Sequence, residues 1–348
     1  MATGSDPRPT AASRQEALLR LARSRKGAGA AAVRPPVPVP AGPAPLSYAQ
    51  RRMWLMDSLG RRGAQYSVPF ATRVRGPLDT AALGTALTEL VRRHEVLRTR
   101  YRQHEGESGR PYQDVAPPAP VPVPVVDTAD DGMDLLLTEA RRPFDLADGP
   151  VLRALLLRHG PLDHTVLLTF HHIAIDGGSL ETVASELGTL YASARDGRPA
   201  ALAAPPQYAD FARAEAADAD RFTDGLRYWT ERLTGARPLA LPRPPAGVAR
   251  ERLGVIHTAP LTPETLEGLR RTGQLHRSTL FTVVLAAAFA ALHRATGETD
   301  LVIGCASSHR EGAAMRGLVG LCVNTLPLRV DASGDPGFDT FLGRVREA

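Results

Sequence analysis

An α+β fold in two lobes is what this sequence predicts, and three observations carry it. Helical and strand patterns follow one another without a strict repeating βα unit, which points to mixed layers. The chain has 348 residues, 43% of them hydrophobic, enough for two compact cores or one large one. A stretch rich in Ala and Pro, residues 197–206, separates two patterned halves.

The elements follow in order. Residues 14–25, RQEALLRLARSR, pattern as a short basic helix, and GAGAAAVRPPVPVPAGPAP (27–45) favours extended polyproline II. Residues 1–45 therefore read as a flexible leader, either a plain tail or a docking segment. LSYAQRRMWLMDSL (46–59) predicts a helix with Ala49, Met53 and Met56 inward. SVPFATRVRG (67–76) alternates as a strand does. Asp79 is placed to cap a helix that buries Leu83, Leu87, Leu90 and Val91. VAPPAPVPVPVV (115–126) reads as a proline-rich connector. HTVLLTFHH (164–172) is apolar on both faces, the mark of a central strand. Ser179 is a candidate cap for a helix with Leu180, Val183, Leu187, Leu190 and Tyr191 inward. Helices are expected near 208–234, 263–275 and 279–295, then strands at DLVIGC and CVNTLPLRV. The lobes are thus drawn as 46–197 and 198–348.

Composition narrows the function classes. The net charge is +5, carried almost wholly by arginine, with Lys26 the one lysine. These arginines are scattered with few aromatics between them, which argues against nucleic acid as a partner. Cys305 and Cys322 show no CxxC spacing, so free thiols in a reducing, cytoplasmic setting are expected. MATGSDPRPT lacks the apolar core of a signal peptide, and the longest apolar run, Leu280–Leu292, is too short for a membrane span.

The chemistry concentrates in TFHHIAIDGGS, 169–179. If the strand runs through both histidines, His171 and His172 face opposite sides. That geometry disfavours a shared metal, and no cysteine or third histidine stands at ligand spacing nearby. One ring is then expected in the core and the other toward an opposite surface. Asp176 follows at the turn into a helix, where its plainest role is to pair with an arginine and pin the turn. Gly177 and Gly178 permit close approach of another group. On pattern alone the pair is equally a structural or an acid–base feature.

Seven motifs in order bear on that choice. LSYAQRRMW (46–54), RHEVLRTRY (93–101), HHIAIDG (171–177), YADFA (208–212), YWTERLTG (228–235), VIGCASSHR (302–310) and GLCVNTLPLR (320–329) together resemble the condensation domain of nonribosomal peptide synthetases. HHIAIDG fits the family's HHxxxDG signature; Tyr101, Ser308 and His309 depart from the other motifs. The resemblance implies a V-shaped, two-lobed fold like chloramphenicol acetyltransferase, with a tunnel reached by carrier proteins from both faces. A donor acyl or peptidyl thioester and an acceptor aminoacyl thioester, each on the 4'-phosphopantetheine of a carrier protein, would meet there and form an amide. No directly bound cofactor or metal is implied; upstream and downstream carriers are, with an adenylation domain in the same assembly line.

By the same resemblance His172 is the catalytic histidine and His171 its support. Asp176 is expected to pair with Arg310, with Arg52 and Arg98 as competing partners. Backbone N–H groups near Gly177 or Gly178 are candidates for the oxyanion. Ser308 is a candidate tunnel residue. Relative to the family, the C-terminal QDxPFExLV-like and RDxSRxPL-like segments do not follow GLCVNTLPLR, so an incomplete second lobe is expected. Two other readings stay open: a non-catalytic domain that docks carriers or partners, and a stand-alone acyltransferase of the same fold.

Overall fold

A computed structural model describes residues 43–59, 63–104, 109–218, 222–241, 258–308, 310, 312 and 315–348. The basic helix and polyproline stretch expected before residue 43 lie outside the described residues. The chain divides into two units, one ending at Glu215 and including Arg310–Leu321, the other formed by Ala216–His309 and Cys322–Ala348.

The first unit holds two sheets. β1 (Ala44–Pro45) is followed by helix α1 (Tyr48–Leu59), strand β2 (Ser67–Arg75), helix α2 (Thr80–Arg93), and strands β3 (Thr99–Gln103), β4 (Pro111–Val115) and β5 (Val125–Asp127). Then come helix α3 (Met133–Arg141), strands β6 (Leu152–Gly160) and β7 (Asp163–His171), and helices α4 (Gly177–Asp196) and α5 (Tyr208–Ala217). The small sheet has the order β1-β4-β3, the larger one β2-β7-β6-β5. β7 lies between β2 and β6, antiparallel to both, and Leu167, Leu168 and Phe170 are buried. Its unbroken apolar run is thus explained by a central position.

Two expectations about the start of this unit change. The leader does not extend to residue 45, because Ala44 and Pro45 pair with Gln113 and Tyr112. The connector 115–126 does not stay irregular to its end, because Val125 and Val126 pair in parallel with Leu156 and Leu157. β5 is an edge strand, paired on one side only, and the prolines that disqualify a central strand stand before it.

α1 departs from its predicted stripe. Gln50, Met53 and Asp57 are buried, whereas Leu55 and Met56 are exposed. The buried spacing is still helical, but polar groups occupy it because polar partners wait in the interior. α2 follows expectation: Asp79 caps it by accepting from Ala82 N at 3.0 Å, and Leu83, Leu87, Leu90 and Val91 are buried. It packs against α4, whose buried residues include Val183 and Leu190.

The second unit contains α6 (Thr223–Leu233), α7 (Pro263–Leu275), α8 (Leu280–Thr296), β8 (Asp300–Ser308), β9 (Val323–Asp331) and α9 (Phe338–Glu347). The helical region expected over 208–234 is therefore two helices, assigned to different units. β8 and β9 form an antiparallel pair from Asp300↔Asp331 to Ser308↔Val323. Val283, Ala286, Phe289, Leu301, Val330, Phe341, Leu342 and Val345 make one core among α8, the strand pair and α9. Among the described residues no single helix is long and apolar enough to cross a membrane.

The boundary drawn at 197/198 shifts to Glu215, because most of α5 falls in the first unit. Tyr208 is 1% exposed, and its hydroxyl lies 2.8 Å from Ser47 Oγ and donates to Leu321 O at 2.5 Å. A composition change marks a connector, yet Tyr208 beyond it still packs within the first unit.

Candidate active site

The sequence TFHHIAIDGGS folds into a strand end, one tight turn and a helix start. β7 pairing ends with His171 opposite Ser67, and His171 N donates to Val151 O at 2.9 Å. The strand does not run through both histidines as expected. His172–Ala174 form a 3-10 turn, with the Ile175 amide donating to His172 O at 3.3 Å. The change of backbone, rather than strand alternation, separates the rings: His171 is buried and His172 half-buried.

Each imidazole has a partner that fixes its proton. His171 Nδ1 accepts from the Ile173 amide at 3.1 Å, so Nδ1 is bare and a neutral ring carries its hydrogen on Nε2. His172 Nδ1 lies 2.7 Å from Ile175 O, which only accepts, so that nitrogen carries the hydrogen and Nε2 keeps a lone pair. Adjacent histidines are thus held in opposite tautomers. His171 packs edgewise against Phe144 and Tyr66, with ring centroids at 5.7 and 6.2 Å.

Asp176 is the N-cap of α4, in place of the expected Ser179, which is the third residue of the helix. The reason is a capping box: Asp176 Oδ1 accepts from Ser179 N at 2.9 Å, and Asp176 N donates to Ser179 Oγ at 3.4 Å. Asp176 is 2% exposed, and Arg310 Nη2 lies 2.6 Å from Oδ1. The same guanidinium reaches Ser179 Oγ at 2.7 Å, Gly320 O at 3.0 Å and, through Nη1, Leu318 O at 2.5 Å. Gly320 N donates to Ser179 Oγ at 3.0 Å. Arg310, Asp176, Ser179 and Gly320 therefore close one buried cluster that ties segment 310–321 to the start of α4. Of the competing partners, Arg98 is engaged with Ala116 O and Glu95.

The two glycines differ. A Cβ on Gly177 would meet open space, whereas one on Gly178 would come within 2.6 Å of Arg310 Nε. Gly178, read from sequence as an oxyanion candidate, makes room for the arginine. Gly177 begins the helix, and first-turn amides have no acceptor within their own helix. Ser308 is exposed at the end of β8 and belongs to the second unit. Among the described residues no cluster of His, Cys, Asp or Glu is arranged to hold a metal.

A polar network that sequence reading does not find joins the motifs behind this turn. Gln50 Nε2 donates to Tyr101 Oη at 3.2 Å and to Gln113 Oε1 at 3.3 Å; Gln50 N donates to Ser47 Oγ at 3.1 Å. With Ser47 Oγ at Tyr208 Oη, this connects LSYAQ, RHEVLRTRY and YADFA through buried groups. In RHE, Arg93 and His94 both hold Glu186, at 2.9 and 3.0 Å. Asp57 is likewise absent from the sequence-derived site; its Oδ1 stands 3.5 Å from His171 Nε2. The available signal was its helical spacing from Gln50 and Met53.

The likeness seen in the motifs extends over the fold. Residues 41–348 match the family model described as condensation domain. Chondramide synthase of Chondromyces crocatus is 38% identical over 338 residues, and one linear gramicidin synthase protein of Brevibacillus parabrevis is 36% identical over 316. These matches take in 92% and 87% of this chain but only 8% and 4% of those proteins. Among solved structures, the first condensation domain of the calcium-dependent antibiotic synthetase superposes with a TM-score of 0.74 at 30% identity, covering 88% of this chain and 74% of that one. The X-domain from teicoplanin biosynthesis gives 0.80 at 28%, covering 90% and 70%. The architecture is that of the chloramphenicol-acetyltransferase-like condensation domains, and the chain belongs to the condensation-domain family.

Proposed function

We propose that this chain forms an amide bond between a donor acyl or peptidyl thioester and an acceptor aminoacyl thioester in nonribosomal peptide synthesis. The observation that carries the reading is the His172 ring, whose Nδ1 is committed to Ile175 O, so that Nε2 offers a lone pair. An acceptor amine must be neutral, aimed, and relieved of a proton as the C–N bond forms. A bare imidazole nitrogen meets the last two needs near neutral pH. The amine nitrogen adds to the thioester carbonyl carbon, the C–S bond then breaks, and the proton taken at Nε2 passes to the departing thiolate. Much of the gain comes from holding two tethered reactants together, which needs no acid or base. The Gly177 amide, at the positive end of α4, is the candidate donor to the transient oxyanion.

The substrates arrive on the 4'-phosphopantetheine of an upstream donor and a downstream acceptor carrier protein, in a cytoplasmic assembly line that includes an adenylation domain. Length supports this setting, since the relatives are synthetases many times longer than the matched segment. Asp176 and Arg310 act on the chemistry by fixing the turn, not by touching substrate.

The test is transfer between two loaded carrier proteins, read by mass spectrometry of the acceptor. His172→Ala should lower the rate by roughly 100-fold or more while the fold persists. Unchanged turnover would refute the assignment. Carrier binding by the wild-type chain without any transfer would instead identify a docking domain.

A further inference from the structure

Asp57 is an acidic residue on the buried face of α1, 9% exposed, and the catalytic reading does not use it. The group facing it is His171, whose Nε2 is buried and has no hydrogen-bond partner among the described residues; Asp57 Oδ1 stands 3.5 Å from that nitrogen. The Ile173 amide already points at Nδ1, so a hydrogen there would set donor against donor. The ring is therefore confined to the Nε2–H form, with Asp57 Oδ1 an acceptor within reach of that hydrogen after a small shift. Asp57 also borders an open cleft with Trp54, Tyr112 and Asp145. The distance is long for a hydrogen bond, and such contacts commonly tighten when a site is loaded.

We propose that Asp57 is a positioning residue for His172, acting through His171. Its carboxylate orients the Nε2–H of His171, and Nδ1 of the same ring holds the Ile173 amide within the 3-10 turn. That turn brings Ile175 O onto His172 Nδ1 and leaves His172 Nε2 bare. The chain of contacts runs from α1 to the amine-facing nitrogen without Asp57 touching substrate. This inference rests on the assignment of His172 as the amine-facing imidazole.

The experiment uses imidazole-15N-labelled chain, wild type, Asp57→Asn and Asp57→Leu, with carrier-to-carrier transfer measured on the same samples. In wild type, His171 should be protonated on Nε2 and His172 on Nδ1, each with a slowly exchanging ring proton. Asp57→Asn keeps an acceptor oxygen and should keep both signals and the rate within about threefold. Asp57→Leu removes the acceptor at similar volume. It should speed exchange of the His171 ring proton, disturb the His172 signal and lower kcat roughly 10- to 100-fold, with KM for the carriers little changed. The inference is overturned if wild-type His171 carries its proton on Nδ1, or if Asp57→Leu leaves both ring protons and kcat as they were. If the wild-type chain transfers nothing, the amide-forming assignment fails, and the two imidazole signals alone decide this one. If Asp57→Leu does not fold, Asp57→Ala, which also removes the acceptor, takes its place with the same supporting and overturning outcomes.

Discussion

Replacing Gly178 by alanine adds one methyl group, and two physical effects then oppose each other. Alanine is favoured over glycine within a helix by up to about 1 kcal/mol, so helix propensity alone predicts stabilisation. The structure predicts the reverse. The new Cβ would stand 2.6 Å from Arg310 Nε and 2.8 Å from Cδ. These are mid-chain atoms of a side chain whose guanidinium is held by Asp176, Ser179, Leu318 and Gly320, so it cannot swing aside and keep those bonds. Asp176 has 0% and Arg310 16% of its side chain exposed. Removing one member of such a pair costs about 3–5 kcal/mol. Asp176 keeps the Ser179 amide and the field of the α4 N-terminus, worth about 1–2 kcal/mol. After the propensity gain, a net loss of about 2 kcal/mol remains, which lowers a urea midpoint by roughly 1 M.

The chain carries two tryptophans, Trp54 in the first unit and Trp229 in the second, so a Trp229→Phe background lets fluorescence report the first unit. Gly177→Ala is the control: its Cβ meets nothing within 4 Å, so it should be neutral or mildly stabilising. A Gly178→Ala midpoint equal to or above that of Gly177→Ala would refute the claim that Arg310 is seated against the helix start.

Further outcomes follow from the same structure. Tyr208→Phe removes a hydroxyl shared between Ser47 Oγ and Leu321 O and should cost about 1–3 kcal/mol in the Trp54-reported transition; no shift would mean the network is dispensable. His94 is buried beside Glu186, and burial, only partly offset by that carboxylate, pushes its pKa below the ordinary value. The unfolded chain therefore binds this proton at higher pH than the folded one, so stability should fall as pH drops below about 6.5. The slope from this group is at most about 1.4 kcal/mol per pH unit, and urea titrations of His94→Gln from pH 7 to 5 should lack it.

Much of the fold was legible because its signals are local. Leu83, Leu87, Leu90 and Val91 repeat at helical spacing and are buried, and the doubly apolar run 164–171 is the central strand β7. Asp79 caps α2 as its side chain and position predict. The missed or altered elements lacked such signals. β4 is five residues of mixed polarity, β5 three residues beside prolines, and the buried stripe of α1 includes Gln50 and Asp57, which a hydrophobic period cannot reveal. At the HHIAIDG stretch, strand alternation gave the wrong reason for the two rings diverging, since β7 stops at His171.

The sequence by itself determined the family and the order of most elements, because motif identity and periodicity are properties of neighbours along the chain. The tertiary structure decided what no spacing encodes. It gave the opposite tautomers of His171 and His172, the cluster that Arg310 closes over Asp176 and Ser179, the seat of Tyr208 beneath Gly320, and the approach of Asp57 from α1. Each depends on a hydrogen-bond partner or a steric neighbour that no repeat along the chain announces, and a buried polar group takes its role from that partner.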